Sequence, residues 1–145
     1  MRDPTSPAPG DESSVDSKHS GVKVLVIDDS NTIRRSAELF LTQAGYNVIL
    51  AEDGFSALTK ITEHHPDVIF VDVMMPRLDG YQACALIKRN ARFRRTPVIM
   101  LSSKDGVFDR ARGRLVGSDE YLTKPFTKDD LVRAVRQHTL SMQCE

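Results

Sequence analysis

Three carboxylates stand at the ends of two apolar runs. Asp28 and Asp29 close VKVLVI, and Asp72 closes VIFV. Runs of that length and composition read as buried strands of a parallel sheet, and such sheets bind their ligands at the carboxyl ends of their strands. Acids gathered on one edge repel one another unless a cation lies among them. An oxygen-rich cluster of this kind suits Mg²⁺, which takes one or two carboxylates and completes its shell with water and phosphate oxygens. Two further polar residues close later strands on the same edge: Ser102 follows VIML, and Lys124 follows EYLT. Taken singly, an acid or a serine after a strand is a turn former or helix cap, and a lysine is usually solvated. Together they supply a nucleophile, metal ligands, a hydroxyl and a cation, the parts that phosphoryl transfer to a carboxylate needs. On that chemistry Asp72 is the nucleophile, Asp28 and Asp29 hold Mg²⁺, and Lys124 and Ser102 meet phosphoryl oxygens.

The elements that must position these groups alternate along the chain. Strands are expected at 22–27, 47–51, 68–72, 98–101 and 120–122. Helices are expected after each strand, the fourth over 106–116 and the last from Thr127. Ser30 is a cap for the first helix, whose Ile33, Ala37, Phe40, Leu41 and Ala44 recur at helical spacing. The second helix carries Phe55, Leu58 and Ile61, and the third Tyr81, Cys84 and Ile87. Thr127 with Asp130 forms a capping-box-like start to the last helix. Strand and helix in strict alternation predict an α/β fold with a doubly wound parallel sheet and right-handed crossovers.

The chain has 145 residues, 20 basic and 20 acidic, so no overall charge argues for nucleic acid or membrane binding. Residues 1–20 hold three prolines and five serines with few apolar side chains, the composition of a disordered tail. The folded domain is placed at 21–140, with a frayed end over 141–145. No stretch reads as a membrane span or secretory leader, so a cytoplasmic location is expected. Cys84 and Cys144, outside any C-x-x-C pair, read as reduced thiols. His64 and His65 lack further ligands at metal spacing and read as a solvated pair. The basic run Lys88, Arg89, Arg92, Arg94 and Arg95 has only Phe93 among it, so a solvated loop is the simpler reading over base stacking.

The runs VLVIDDS, VDVMMPRLDG, VIMLSS and YLTKPF, within residues 21–140, resemble the receiver domain of bacterial two-component response regulators. The resemblance implies a flavodoxin-like (βα)5 fold with strand order 2-1-3-4-5. It implies phosphorylation at Asp72, Mg²⁺ held by Asp28, Asp29 and Asp72 with the main-chain carbonyl of Met74, and the lysine role at Lys124. It also implies a switch pair, Ser102 and Tyr121, and a cis peptide before Pro125. The longer runs MMPRLDGYQACALIK, TPVIMLSSKDG and VGSDEYLTKPF are similar to stand-alone regulators of the chemotaxis-like systems that control type IV pili and twitching motility. The implied phosphodonor is a histidine kinase of the chemotaxis type.

Nineteen residues follow Phe126, room for one helix and no output domain. The expected output is therefore altered protein binding at the fourth helix, fifth strand and fifth helix, where Arg110, Arg112, Arg114 and Tyr121 stand. By the same resemblance Met74 and Lys104 flank the path of a hydrolytic water. Neither side chain can accept a hydrogen bond strongly from that water, so a long-lived phosphorylated state is expected. The protein is read as a switch rather than an enzyme. The alternative is an aspartyl-phosphate phosphatase or phosphotransferase of the haloacid-dehalogenase kind. That chemistry needs Asp-x-Asp, and here Met74 takes the place of the second acid.

Overall fold

The computed structural model describes residues 21–75, 78–102, 111 and 114–144, the last five by backbone alone. Its strands are β1 (Lys23–Ile27), β2 (Asn47–Ala51), β3 (Val68–Asp72), β4 (Val98–Ser102) and β5 (Glu120–Thr123). They form one sheet in the order β2-β1-β3-β4-β5, every pair parallel. The helices described in full are α1 (Asn31–Gln43), α2 (Gly54–His64), α3 (Gly80–Arg89) and the C-terminal α4 (Lys128–Cys144). Ala111, Arg114 and Leu115 are also helical. Residues 106–110, 112 and 113 of the helix expected over 106–116, Arg110 and Arg112 among them, lie outside the described residues, as do Lys104 and the 1–20 segment, and Val116 is a turn.

The central strands are apolar on both faces because both faces are covered. Side chains alternate along a strand, and the alternation divides the interior in two. Leu25, Ile27, Ile69, Val71, Val98 and Met100 pack with Ala57 and Ile61 of α2 and Cys84 and Ile87 of α3. Val24, Val26, Phe70, Ile99 and Leu101 pack with Ala37 and Leu41 of α1 and Leu131, Ala134 and Val135 of α4. Thus α2 and α3 lie on one side of the sheet, α1 and α4 on the other, the doubly wound arrangement expected.

Local signals start and stop the helices as read. Ser30 caps α1, accepting from the Ile33 N–H, and Gly45 follows its end with φ 96°. Asp53 caps α2. Asp130 and Thr127 exchange hydrogen bonds of 2.9 and 3.1 Å at the start of α4. The helix α4 stays regular to Cys144, past residue 140 where the sequence places a frayed end. No proline or glycine stands between Thr127 and Cys144 to stop it.

Two readings need correction. Phe55, which the sequence groups with Leu58 and Ile61 on the second helix, is 56% exposed. The buried stripe is set by Ala57 and Ile61, and a residue in the first turn two places before Ala57 lies off it. Lys88, counted in a solvated basic loop, is largely covered instead. Its ammonium donates to the carbonyls of Arg94 and Thr96 at 3.1 and 2.8 Å and to Asp119 Oδ2 at 2.8 Å. The same Asp119 oxygen accepts from the Val98 N–H. This ties α3, the 90–97 loop and the start of β4 together at the amino edge of the sheet. His64 stands 3.9 Å from Glu63, and the His65 ring packs on Phe93 with centroids 5.5 Å apart.

Candidate functional site

The sheet brings four strand ends together. Ile27 pairs with Val71, Asp72 with Leu101, and Ser102 with Thr123. Each polar residue of the predicted set therefore follows or ends a strand at nearly the same height, and all rise from one edge. Asp28, Asp72 and Ser102 are buried at 0%, 3% and 1% exposure, whereas Asp29 faces solvent. One carboxylate oxygen from each of Asp28, Asp29 and Asp72 lies within 4.8 Å of the others.

Lys124 reaches into this group. Its Nζ stands 2.9 Å from Asp28 Oδ2 and donates to Asp72 Oδ1 at 3.0 Å. The Lys124–Pro125 peptide is cis, as the resemblance implies. The Lys124 N–H donates to the Ser102 carbonyl at 2.6 Å, which continues the β4–β5 ladder up to the lysine. Burial opposes the ammonium charge, but hydrogen bonding and attraction to Asp28 and Asp72 outweigh it and raise the Lys124 pKa. Burial, followed by the charge of Asp28, pushes Asp72 up to about 6; Lys124 and the Met74 N–H pull against that shift. Asp72 Oδ1 accepts from the Met74 N–H at 3.3 Å.

These residues fit a hard divalent cation. Among the described residues one ammonium, that of Lys124, meets the three carboxylates, and it is shared between Asp28 Oδ2 and Asp72 Oδ1 at 2.9 and 3.0 Å. One ammonium cannot balance three carboxylates, and buried charge left uncompensated is costly. Close-set carboxylate oxygens with no sulfur or nitrogen suit Mg²⁺ over softer metals. This is the one such group of possible metal-ligating side chains among the described residues.

The structure also places Ser30, Met74, Tyr121 and Cys84 of the sequence reading, and Arg34, Gly80 and Asp79, which that reading passed over. The Ser30 N–H donates to Asp28 Oδ1 at 2.8 Å, and Arg34 Nη1 donates to the Asp28 carbonyl at 2.6 Å. Arg34 could have been noticed as a basic residue one turn beyond the Ser30 cap. Gly80 packs directly behind the acceptor: a Cβ there would stand 2.3 Å from the Asp72 carbonyl oxygen. Asp79 caps α3 through a complete capping box with Gln82. Met74 lies beside Asp72 with its side chain 62% exposed. Tyr121 is half-buried against the core on the α2–α3 side. It borders a 370 Å³ hollow with Arg114, Ser118, Asp119 and Glu120. Leu115 beside it is 87% exposed. Cys84 is buried and free, its thiol pushed up to about 11 chiefly by burial.

Residues 24–136 match the response regulator receiver domain family. The chain is 65% identical over 121 residues to Protein PilG of Pseudomonas aeruginosa, covering 83% of this chain and 90% of that protein. Its fold superposes on the Vibrio cholerae chemotaxis protein CheY4 with a TM-score of 0.77 at 34% identity, covering 80% of this chain and 97% of that one. The receiver domain of sensor histidine kinase PA1611 from Pseudomonas aeruginosa superposes with a TM-score of 0.75 at 31% identity, covering 81% and 97% of the two chains. That domain holds a coordinated magnesium ion in its active site cleft.

Proposed function

The chain belongs to the response regulator receiver domain family, and from that premise we propose that it is a stand-alone phospho-accepting switch rather than a turnover enzyme. Asp72 takes the phosphoryl group. Asp28 and Asp29, with Asp72 and the Met74 main-chain carbonyl, hold Mg²⁺. When bound, the ion supplies positive charge against the phosphoryl oxygens. The observation that carries the reading is the Lys124 ammonium held between Asp28 and Asp72 at 2.9 and 3.0 Å.

An Asp72 oxygen attacks phosphorus in line. The new bond is Asp72 Oδ–P, the bond broken is N–P of a phosphohistidine, and the imidazole leaves with its proton. Lys124 neutralises the Asp72 carboxylate beforehand and then follows the charge to a phosphoryl oxygen. Ser102, at the end of β4, donates its hydroxyl to another. Such reactions run on placement and electrostatics. The exposed Met74 thioether cannot exchange a proton, which supports accepting and holding the group over hydrolysing a succession of esters.

The finer reading is a cytoplasmic regulator in a chemotaxis-like system controlling type IV pili and twitching motility, fed by a histidine kinase of the chemotaxis type. The relative at 65% identity supports it. No helix among the described residues is long and apolar enough to cross a membrane. The output is protein binding at the face made by Arg114, Leu115, β5 and α4, where the hollow beside Tyr121 lies. Ser102 moving toward the phosphoryl group and Tyr121 turning inward would change that face.

The test is incubation with Mg²⁺ and acetyl phosphate, with the modified residue mapped by mass spectrometry. Incorporation is expected on Asp72 and is lost in Asp72→Asn. Full incorporation in that variant overturns the reading. Truncating Tyr121 to Ala should weaken capture of the output partner and leave phosphorylation unchanged; unchanged capture places the output elsewhere.

A further inference from the structure

We infer that Arg34 is a positioning residue for the acidic site: its guanidinium holds the turn that carries Asp28 and Asp29, and thereby sets how tightly the site takes a divalent cation. The inference rests on the metal reading above and assigns a role to a residue outside the ligand set.

Asp28 and Asp29 lie in a three-residue link between Ile27, the end of β1, and Asn31, the start of α1. Its entry is fixed by the Asp28 N–H, which donates to the Ala51 carbonyl of β2 at 3.1 Å. One Asp28 carboxylate oxygen is aimed by the Ser30 N–H at 2.8 Å. What remains is the peptide plane between Asp28 and Asp29, which decides where the Asp29 side chain leaves the backbone. Arg34 Nη1 meets the carbonyl of that plane at 2.6 Å, and Nη2 donates to Asn31 Oδ1 at 3.3 Å. Arg34 is itself anchored, its N–H bonding the Ser30 carbonyl at 3.0 Å. The guanidinium thus folds back over the start of its own helix and clamps the link from outside.

Helix electrostatics argue against a cation there. The amino end of a helix carries partial positive charge and favours acids, yet the first turn of α1 has none and Arg34 follows it. The short bond to the Asp28 carbonyl is the feature that rewards this placement. Asp29 needs the help most, being the solvent-facing member of the three carboxylates.

Two effects of Arg34 on a cation have opposite signs. Its positive charge repels an incoming divalent ion. Its grip on the link holds the carboxylates ready. Arg34 is half-buried and borders a 270 Å³ hollow open to the surface with Glu52 and Lys60, where water and salt would screen the repulsion. Partners that orient metal ligands from behind commonly change affinity by about 10–100-fold. Positioning should therefore prevail.

The experiment measures the Mg²⁺ dissociation constant at constant ionic strength by NMR titration for wild type, Arg34→Gln, Arg34→Lys and Asp28→Asn. Arg34→Gln is expected to weaken binding by about tenfold, with Arg34→Lys recovering part of it through one donor. The initial rate of phosphorylation by acetyl phosphate should fall at low Mg²⁺ and return toward wild type at saturating Mg²⁺. A general loss of structure would not produce that recovery. Unfolding in EDTA, followed by circular dichroism, reports folding; if Arg34→Gln does not fold, Arg34→Lys decides alone. Equal or tighter binding by Arg34→Gln, or by Arg34→Lys where it decides alone, overturns the inference and leaves the metal reading intact. Wild type that takes up no Mg²⁺ overturns both.

Discussion

Asp72 is held at a disadvantage that a single substitution can expose. Its carboxyl is buried beside Asp28 and is pushed up from 3.8 to about 6. The side chain is only 5% exposed, so solvent screening discounts the effect little. In the unfolded chain it ionises at its ordinary pKa. Below that pKa both states are protonated and the group has no effect on folding. As pH rises toward 6 the unfolded state gives up its proton first, and the native state loses stability relative to it. Above about 6 the loss is complete. Each pH unit of the interval corresponds to about 1.4 kcal/mol, so the full loss is about 3 kcal/mol, and at about pH 4.5 only about 1 kcal/mol has appeared.

Asp72→Asn removes the ionisation and keeps an oxygen for Lys124 and the Met74 N–H. Its stability relative to wild type should therefore be about 2 kcal/mol more favourable at about pH 7.5 than at about pH 4.5. All other titrating groups are common to the two proteins and cancel to first order. The assay is urea unfolding in EDTA, followed by far-UV circular dichroism because the chain has no tryptophan. Adding Mg²⁺ at about 100 times its dissociation constant should stabilise wild type by about 2.7 kcal/mol and shrink the advantage of the variant at the higher pH. An advantage that is the same at both pH values, or larger at the lower one, refutes the claim that burial and Asp28 hold Asp72 protonated toward neutral pH.

The amino edge and the loops give further tests. Gly80→Ala should destabilise by about 1–3 kcal/mol and slow phosphorylation, because the added Cβ meets backbone atoms of Asp72 and Val73 that cannot swing aside; denaturant melts and the acetyl phosphate rate check it. Lys88→Met should destabilise by about 1 kcal/mol by taking the donor from the Thr96 carbonyl and the cation from Asp119, with Mg²⁺ affinity unchanged; a double-mutant cycle with Asp119→Asn measures the coupling. The change Met74→Asn with Lys104→Glu should shorten the life of the phosphorylated form by supplying groups that hold a water, read as phosphoprotein decay after donor removal; equal decay rates would show that these positions do not set it.

The central strands β1, β3 and β4 were legible because a strand covered on both faces must be largely apolar, and each run stops at a polar or turn-forming residue. Strand order and the joint placement of Asp28, Asp72, Ser102 and Lys124 followed from the family resemblance and from parallel topology. Asp28, Asp72 and Lys124 converge in space, and Ser102 ends the neighbouring strand on the same edge. What could not be read depends on neighbours distant in sequence. Nothing in a basic run says that Lys88 will turn inward to Asp119, 31 residues later. The tight approach of Gly80 to Asp72 exists only once α3 has packed on β3. Phe55 was misassigned because helical spacing alone does not choose which of two possible stripes faces the sheet; the small Ala57 and the larger Ile61 chose it.

The two edges of the sheet show how charge stoichiometry separates a structural cluster from a functional one. At the amino edge Lys88 meets one carboxylate and two carbonyls at hydrogen-bonding distance, and the same Asp119 oxygen also accepts from the Val98 N–H. Charge is matched there, one ammonium to one carboxylate. At the carboxyl edge, among the described residues, a single ammonium is shared by two buried carboxylates with a third beside them, and Asp72 is pushed toward protonation. Packing alone gives no reason to retain such an imbalance, since a buried group left uncompensated destabilises the fold by kilocalories. On the proposed function a divalent cation would neutralise the acids, and phosphorylation would turn Asp72 from an anion in a poor environment into an acyl phosphate whose oxygens Lys124 and Ser102 would meet.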